Sequence, residues 1–170
     1  MDVKYINHFI SAVNNTFTTM LGSSPERQGL SLKQHHVAQG DISSIIGFAG
    51  KLAHGSVALS FPQETALKIH AVMTGETLDK LNKDVQDTVG EIVNIIAGGA
   101  KTEFDQEGLS FHISIPTVVV GKDHTIIHKG STPIVLLPFT WEGCSFVMEI
   151  SLKLEGTPRR PIRQLAGEAF

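Results

Sequence analysis

Two amphipathic helical periods, each followed by a series of short extended runs, leave this chain few folds to choose from. Between positions 3 and 21, Ile6, Phe9, Ile10, Val13, Phe17 and Leu21 recur at helical spacing, and Gly22 closes the pattern. Ser23-Ser24-Pro25-Glu26 breaks the chain. Extended runs are then expected at 30–38, 42–49 and 55–61, an antiparallel meander with Gly50 and Gly55 bracketing a hairpin connection. Pro62 opens a second helix at a first-turn position, Ala66, Ile69, His70 and Met73 run down it, and Thr74-Gly75 closes it. A long helix over 83–104 follows, and after it strands at 109–120, 132–139 and 144–152, with turns at Gly121-Lys122-Asp123 and Glu142-Gly143. A helix with one greasy stripe must bury it, and alternating strands offer a greasy face to receive it. The expected fold is therefore α+β, with helices packed on an antiparallel sheet.

Each half reads as a helix and then three strands. Sliding one helix over the other sets Ser11-Ala12-Val13-Asn14 against Glu91-Ile92-Val93-Asn94, which keeps the asparagine and replaces the glutamate. An internal two-fold pseudo-repeat with one complete and one degenerate site would produce that match; two amphipathic helices aligned by chance would also produce it.

The long helix carries the most informative face. At about 100° per residue, Val85, Val89, Ile92 and Ile96 fall on one narrow stripe, and Asp87, Glu91, Asn94, Gly98 and Lys101 line the opposite side. Glu91 and Asn94 are one turn apart and adjacent, which puts a carboxylate and a carboxamide together in water. Asn is a mediocre helix former, and Gly is worse than Ala by about 1 kcal/mol. A helix built for stability alone would not place Asn94 and Gly98 on its exposed face. Gly98 leaves a notch where another protein's backbone could approach the two polar groups; Gly99, the second glycine, has no such reading. Ile95 flanks the polar face, either as a partner contact or as part of a wider buried stripe.

Length, charge and cysteine usage bound the rest. With 170 residues the chain fits one domain, expected over 1–156 with a tail at 157–170. A net charge of −3 gives no broad positive field, so nucleic acid is not an expected partner. Arg159, Arg160 and Arg163 form the one basic cluster and read as a solvated tail or a contact for an acidic partner. The single Cys144 excludes an internal disulfide, reads as a small buried thiol in a strand, and suits a reducing compartment. The N-terminal pattern, interrupted by Asn7, His8, Asn14 and Asn15, is neither a signal peptide nor a spanning helix. A cytoplasmic protein without a membrane segment is expected.

Several chemistries lack their parts. Paired-carboxylate catalysis would need a second carboxylate and a sugar cleft around Glu91; Asp87 is one turn back, and nothing else builds the cleft. The eight histidines are scattered rather than set at metal-ligand spacing, and the adjacent His35 and His36 are expected to point to opposite faces of a strand, so no metal site is expected. No phosphate-binding glycine loop, nucleophile elbow or dinucleotide turn occurs.

The pattern Asp87-x-x-x-Glu91-x-x-Asn94, followed by Ala97-Gly98 and later by Pro116-Thr117-Val118-Val119, resembles the active-site signature of the CheC/CheX chemotaxis phosphatases. The opening from Met1-Asp2-Val3-Lys4 to Met20-Leu21-Gly22, the segment Phe61-Pro62-Gln63-Glu64-Thr65-Ala66-Leu67-Lys68 and the closing strands are similar to the CheX branch in order and spacing, so the resemblance covers most of the chain. It implies the two-fold fold, with the full motif on the second long helix only, and a homodimer. The substrate it implies is a phosphorylated CheY-type receiver domain that carries its own aspartyl phosphate, Mg2+ and lysine; the chain needs no cofactor of its own. Asn94 would orient the attacking water and Glu91 would pair with the receiver lysine. Asp87, Gly98 and Lys101 would complete the partner-facing surface, and Pro116 would shape the strand behind it, since proline in a strand favours an edge or a bulge.

Two rival readings stand beside this one, the first on the same surface. One is a receiver-binding or flagellar-switch module without hydrolysis, because sites rather than folds set chemistry. The other is a scaffolding dimer paired through apolar strands such as 117–120 or 134–137.

Overall fold

The computed structural model describes residues 3–156. In chain order the elements are α1 (Val3–Leu21), β1 (Glu26–Arg27), β2 (Ser31–Leu32), β3 (Ile42–Ala49), β4 (Ala53–Phe61), α2 (Gln63–Thr74), α3 (Lys83–Gln106), β5 (His112–Ile113), β6 (Thr117–Val120), β7 (Ile134–Trp141) and β8 (Cys144–Leu154). The strands form one eight-stranded antiparallel sheet in the order β1-β7-β8-β4-β3-β5, with β2 also on β7 and β6 also on β3. That order is symmetric about the central β8–β4 pair: a hairpin on each side, and two short strands on each hairpin's outer edge. The helices lie on one face of the sheet and the apolar alternation of the long strands points at them.

Helix boundaries follow local chemistry. Gly22 ends α1 at φ 84° and its amide donates to the Thr18 carbonyl. Pro62 sits just before α2, not inside its first turn; its ring lacks only an amide, and its carbonyl accepts from the Thr65 and Ala66 amides at 3.1 Å each. Gly75 closes α2 in the left-handed conformation. Asn82 caps α3, its side chain accepting from the Val85 amide at 3.1 Å.

The core forms where α1 and α3 cross the sheet. Tyr5 stacks on Phe104 with ring centroids 5.6 Å apart, Phe9 meets Phe104 edge-on, and Phe17 stacks on Phe146 at 4.8 Å. Trp141, Phe61, Phe139, Ile42, Ile46 and Leu59 close the layer against the strands.

Two expectations about strands need correction. The run at 30–38 is not the first strand of a meander: only Ser31 and Leu32 are extended, and they pair with β7 rather than with β3. The rest of that run covers the sheet face away from the helices, where it meets the segment around Ile126: the Ala38 amide donates to the His124 carbonyl and the Ile126 amide to the His36 carbonyl. His35 and His36 are consequently exposed side chains of an irregular segment, not of a strand. The run at 109–120 divides into β5 and β6, because Pro116 has no amide for the ladder and confines the residue before it. Of the two stretches considered for edge pairing with a second copy, 117–120 is an edge strand, whereas Val135 and Leu136 have strands on both sides. Arg159, Arg160, Arg163 and the tail at 157–170 lie outside the described residues.

Candidate functional site

The sequence stripe on α3 is the buried one. Val85, Val89, Ile92, Val93 and Ile96 are fully buried against the sheet and α1. Burying one such side chain is worth about 1.5–3 kcal/mol, so rotating α3 to hide another face would forfeit several of these at once. The opposite face is thereby held outward. Glu91 is exposed and Asn94 half-buried, one turn further on. Neither side chain has a hydrogen-bond or ion-pair partner among the described residues.

Their neighbours are satisfied within the chain. Asp87, one turn before Glu91, pairs with Lys83, and Lys101 pairs with Asp105, both at i,i+4 spacing. The free carboxylate and carboxamide therefore stand between two closed ion pairs. Gly98 has open space where a β-carbon would be, so the notch expected there is present. Gly99 has a different cause: a β-carbon would sit 3.3 Å from the β-carbon of Ala12, and the glycine lets α1 approach α3. Ile95 flanks a shallow groove of about 250 Å3 between the two helices, beside Ala12, Thr16 and Met20.

Pro116 lies where it can hold the site helix. A β-carbon on Gly90 would be 3.7 Å from the Pro116 ring and 3.4 Å from a Val118 methyl, so the bare backbone of α3 immediately before Glu91 rests on the start of β6. On the inner flank, Thr88 donates to the Asp84 carbonyl at 3.0 Å and accepts from the His70 Nδ1–H at 2.7 Å, which ties α3 to α2. Lys101 lies at the far end of the face, on a cleft of about 800 Å3 that also contains Asp105, Lys51 and His112. The Lys101 hydrogen bond holds the Asp105 carboxyl below the ordinary carboxylate range, helped by Ser110 and by the charge of His112 and opposed by slight burial.

A second polar cluster lies on the other face of the sheet. Glu149 is fully buried; Lys33 Nζ is 2.7 Å from each of its carboxylate oxygens, His128 Nε2 is 3.0 Å from one of them, and His128 Nδ1 is 2.6 Å from Ser56 Oγ. No spacing in the sequence signals it, because its members come from two strands and two covering segments far apart in the chain. A glutamate within the apolar run 146–150 was the one available sign. Among the described residues no group of three or more His, Cys, Asp or Glu is arranged to hold a metal. No described helix is long and apolar enough to cross a membrane.

Fold and site together define a helix-on-sheet protein with a carboxylate and a carboxamide one turn apart on the outer face of its long helix, neither of them paired among the described residues. The family described as chemotaxis phosphatase CheX matches residues 42–140, which include the whole of this surface. The curated CheY-P phosphatase CheX of Thermotoga maritima is 31% identical over 158 residues, covering 92% of this chain and 100% of that protein. Among solved structures, the chemotaxis protein CheX from Vibrio vulnificus has a TM-score of 0.82 at 35% identity, covering 88% of this chain and 99% of that one. The CheX of the Borrelia burgdorferi CheX–CheY–BeF3–Mg2+ complex gives a TM-score of 0.75 at 28% identity, covering 88% and 97%. This chain belongs to the CheX family of chemotaxis phosphatases.

Proposed function

We propose that the chain hydrolyses the aspartyl phosphate of a CheY-type response regulator, with Asn94 orienting the attacking water and Glu91 docking on the receiver's lysine. The observation that carries this reading is the juxtaposition of an exposed Glu91 and a half-buried Asn94, one turn apart and without partners among the described residues, on a helix whose opposite face is buried. The Thermotoga relative is named for this reaction, and the Borrelia relative was solved with CheY, BeF3 and Mg2+.

Phosphoryl transfer passes through a loose transition state, so catalysis is mostly positioning and charge compensation. The receiver brings the phosphorylated aspartate, the Mg2+ and a lysine; an ordered water in line with phosphorus is what remains to be supplied. A carboxamide can accept from and donate to that water without taking its proton, which suits Asn94. A carboxylate paired with the receiver lysine makes a charge-assisted hydrogen bond that rewards accurate placement and sets the register, which suits Glu91. Gly98 keeps the surface low where the receiver backbone would approach. Asp87 supports the first turns of the site helix, Lys101 must leave Asp105 to reach a partner, and Pro116 backs the helix at Gly90. The protein acts as a cytoplasmic homodimer, each copy a single domain over 1–156 with 157–170 as a tail.

The test is loss of phosphate from purified phosphorylated receivers with Mg2+ present, wild type and Asn94→Ala in parallel. Acceleration by wild type, reduced about 10²-fold or more in the variant while receiver binding persists, is the expected result. Binding without acceleration of any receiver would replace this reading with the non-catalytic docking module. Light scattering at micromolar concentration checks the dimer: a monomer only would remove that part.

A further inference from the structure

The polar cluster under the covering segments has an order of hydrogen bonds that the phosphatase reading does not use. Lys33 can only donate, and it does so to both oxygens of Glu149. Glu149 is then an acceptor for His128 as well, so the His128 Nε2–H donates at 3.0 Å. That assignment leaves Nδ1 as the acceptor, and the Ser56 hydroxyl, 2.6 Å away, donates to it. The sequence of contacts is acid, imidazole, hydroxyl: a base in hydrogen-bond reach of a nucleophile and oriented by a third group.

The hydroxyl end of this chain opens on space. Ser56 and His128 line an open cleft of about 530 Å3 together with Lys129, His54, Ile45 and Ile127. Gly47 is the cross-strand neighbour of Ser56, and a β-carbon there would meet nothing nearer than 3.9 Å, so the sheet is bare beside the hydroxyl. The acid end is closed: Glu149 is 0% exposed and the Lys33 side chain 3%. Burial of the acid with access at the serine is the polarity a nucleophile relay requires.

We propose that Ser56, His128 and Glu149 form a second reactive site that accepts acyl groups from small esters. In the first step a bond forms between Ser56 Oγ and the ester carbonyl carbon, the hydroxyl proton passes to His128 Nδ1, and the alcohol leaves as the bond to its oxygen breaks and it takes that proton. Water then attacks the acyl-serine, its proton passes to His128 Nδ1 and on to Ser56 Oγ, and the free acid departs. While His128 holds the proton, the Lys33, Glu149 and His128 cluster carries one excess positive charge, which the oxyanion forming on the substrate offsets. Ile45 and Ile127 in the lining suit a short aliphatic acyl group.

The experiment treats the full-length protein with a small alkyl fluorophosphonate, which forms an Oγ–P bond on an activated serine with loss of fluoride, and locates the adduct by peptide mass spectrometry. The expected result is labelling of Ser56, none in Ser56→Ala, and a rate about 10²-fold or more lower in His128→Gln, the scale of losing a general base. Phosphatase activity of Ser56→Ala toward a receiver should equal that of wild type. His128→Gln also removes a contact that holds a covering segment, so Gly47→Leu is the companion variant: it fills the cleft, leaves the hydrogen bonds in place and should also suppress labelling. Labelling of Ser56 no faster than of the exposed Ser114, or labelling indifferent to both variants, would overturn the proposal.

Discussion

Gly99 of α3 and Ala12 of α1 touch so closely that a β-carbon at position 99 would stand 3.3 Å from that of Ala12. Two small residues at the crossing bring the helices together, and that approach sets how α3 lies on the sheet. Gly99→Leu should therefore push the two helices apart and destabilise the fold by about 1–3 kcal/mol, the usual cost of adding bulk at a tight crossing. Urea unfolding monitored by circular dichroism measures it, and an unchanged midpoint would show that the crossing relaxes freely.

The neighbouring glycine should behave in the opposite way. Gly98 has no atom within 4 Å of where its β-carbon would be, so Gly98→Ala should gain up to about 1 kcal/mol from helix propensity. If the receiver backbone approaches there, the same variant loses receiver affinity while it becomes more stable. A variant that gains stability and binds the phosphorylated receiver as well as wild type would show that the notch is unused.

Glu91→Ala separates docking from folding. Glu91 is exposed and has no partner among the described residues, so the substitution should leave stability within about 0.5 kcal/mol. Receiver binding by titration calorimetry should weaken along with turnover. Normal binding with slow turnover would reverse the division of roles between Glu91 and Asn94.

Acid should release the Asp105 pair. Because its hydrogen bond from Lys101 lowers the folded-state pKa of Asp105, the folded chain favours the carboxylate; the stabilisation is present above the unfolded value and lost as pH falls through the folded one. The pair is surface-exposed, so its worth is about 0.3–0.5 kcal/mol and it weakens with salt. Carbon-detected NMR titration should find Asp105 below the ordinary aspartate range in wild type and moved upward in Lys101→Met; the same value in both would contradict the assigned cause.

Periodicity was a sound guide wherever one face of an element is buried by its immediate surroundings. Val85, Val89, Ile92 and Ile96 are all fully buried, and β3, β4, β7 and β8 occur within a few residues of where alternation puts them. It failed where pairing is decided far away in sequence. Leu30 and Leu32 alternate with polar residues as a meander strand would, yet Leu32 pairs with Val135, and both leucines are exposed. The polar face of α3 was legible because one helix carries all of it. Gly99 was not, since its cause is Ala12 on another helix, and neither was the contact among Lys33, Ser56, His128 and Glu149, which exists only once two loops fold over the sheet.

The ion pairs on either side of Glu91 bear on how a receiver finds this surface. From 88 to 100 the helix holds no other charged residue, and the nearest charged positions before and after that stretch, Asp87 and Lys101, are neutralised by Lys83 and Asp105. A lone charge fades within about 8 Å at physiological ionic strength, so this stretch exerts little pull at a distance and recognises by touch. Association should be slow for an electrostatic pair and nearly indifferent to salt, and release correspondingly easy. If a receiver docks on this surface, contact is brief, which suits a phosphatase that must let go once the phosphate is gone.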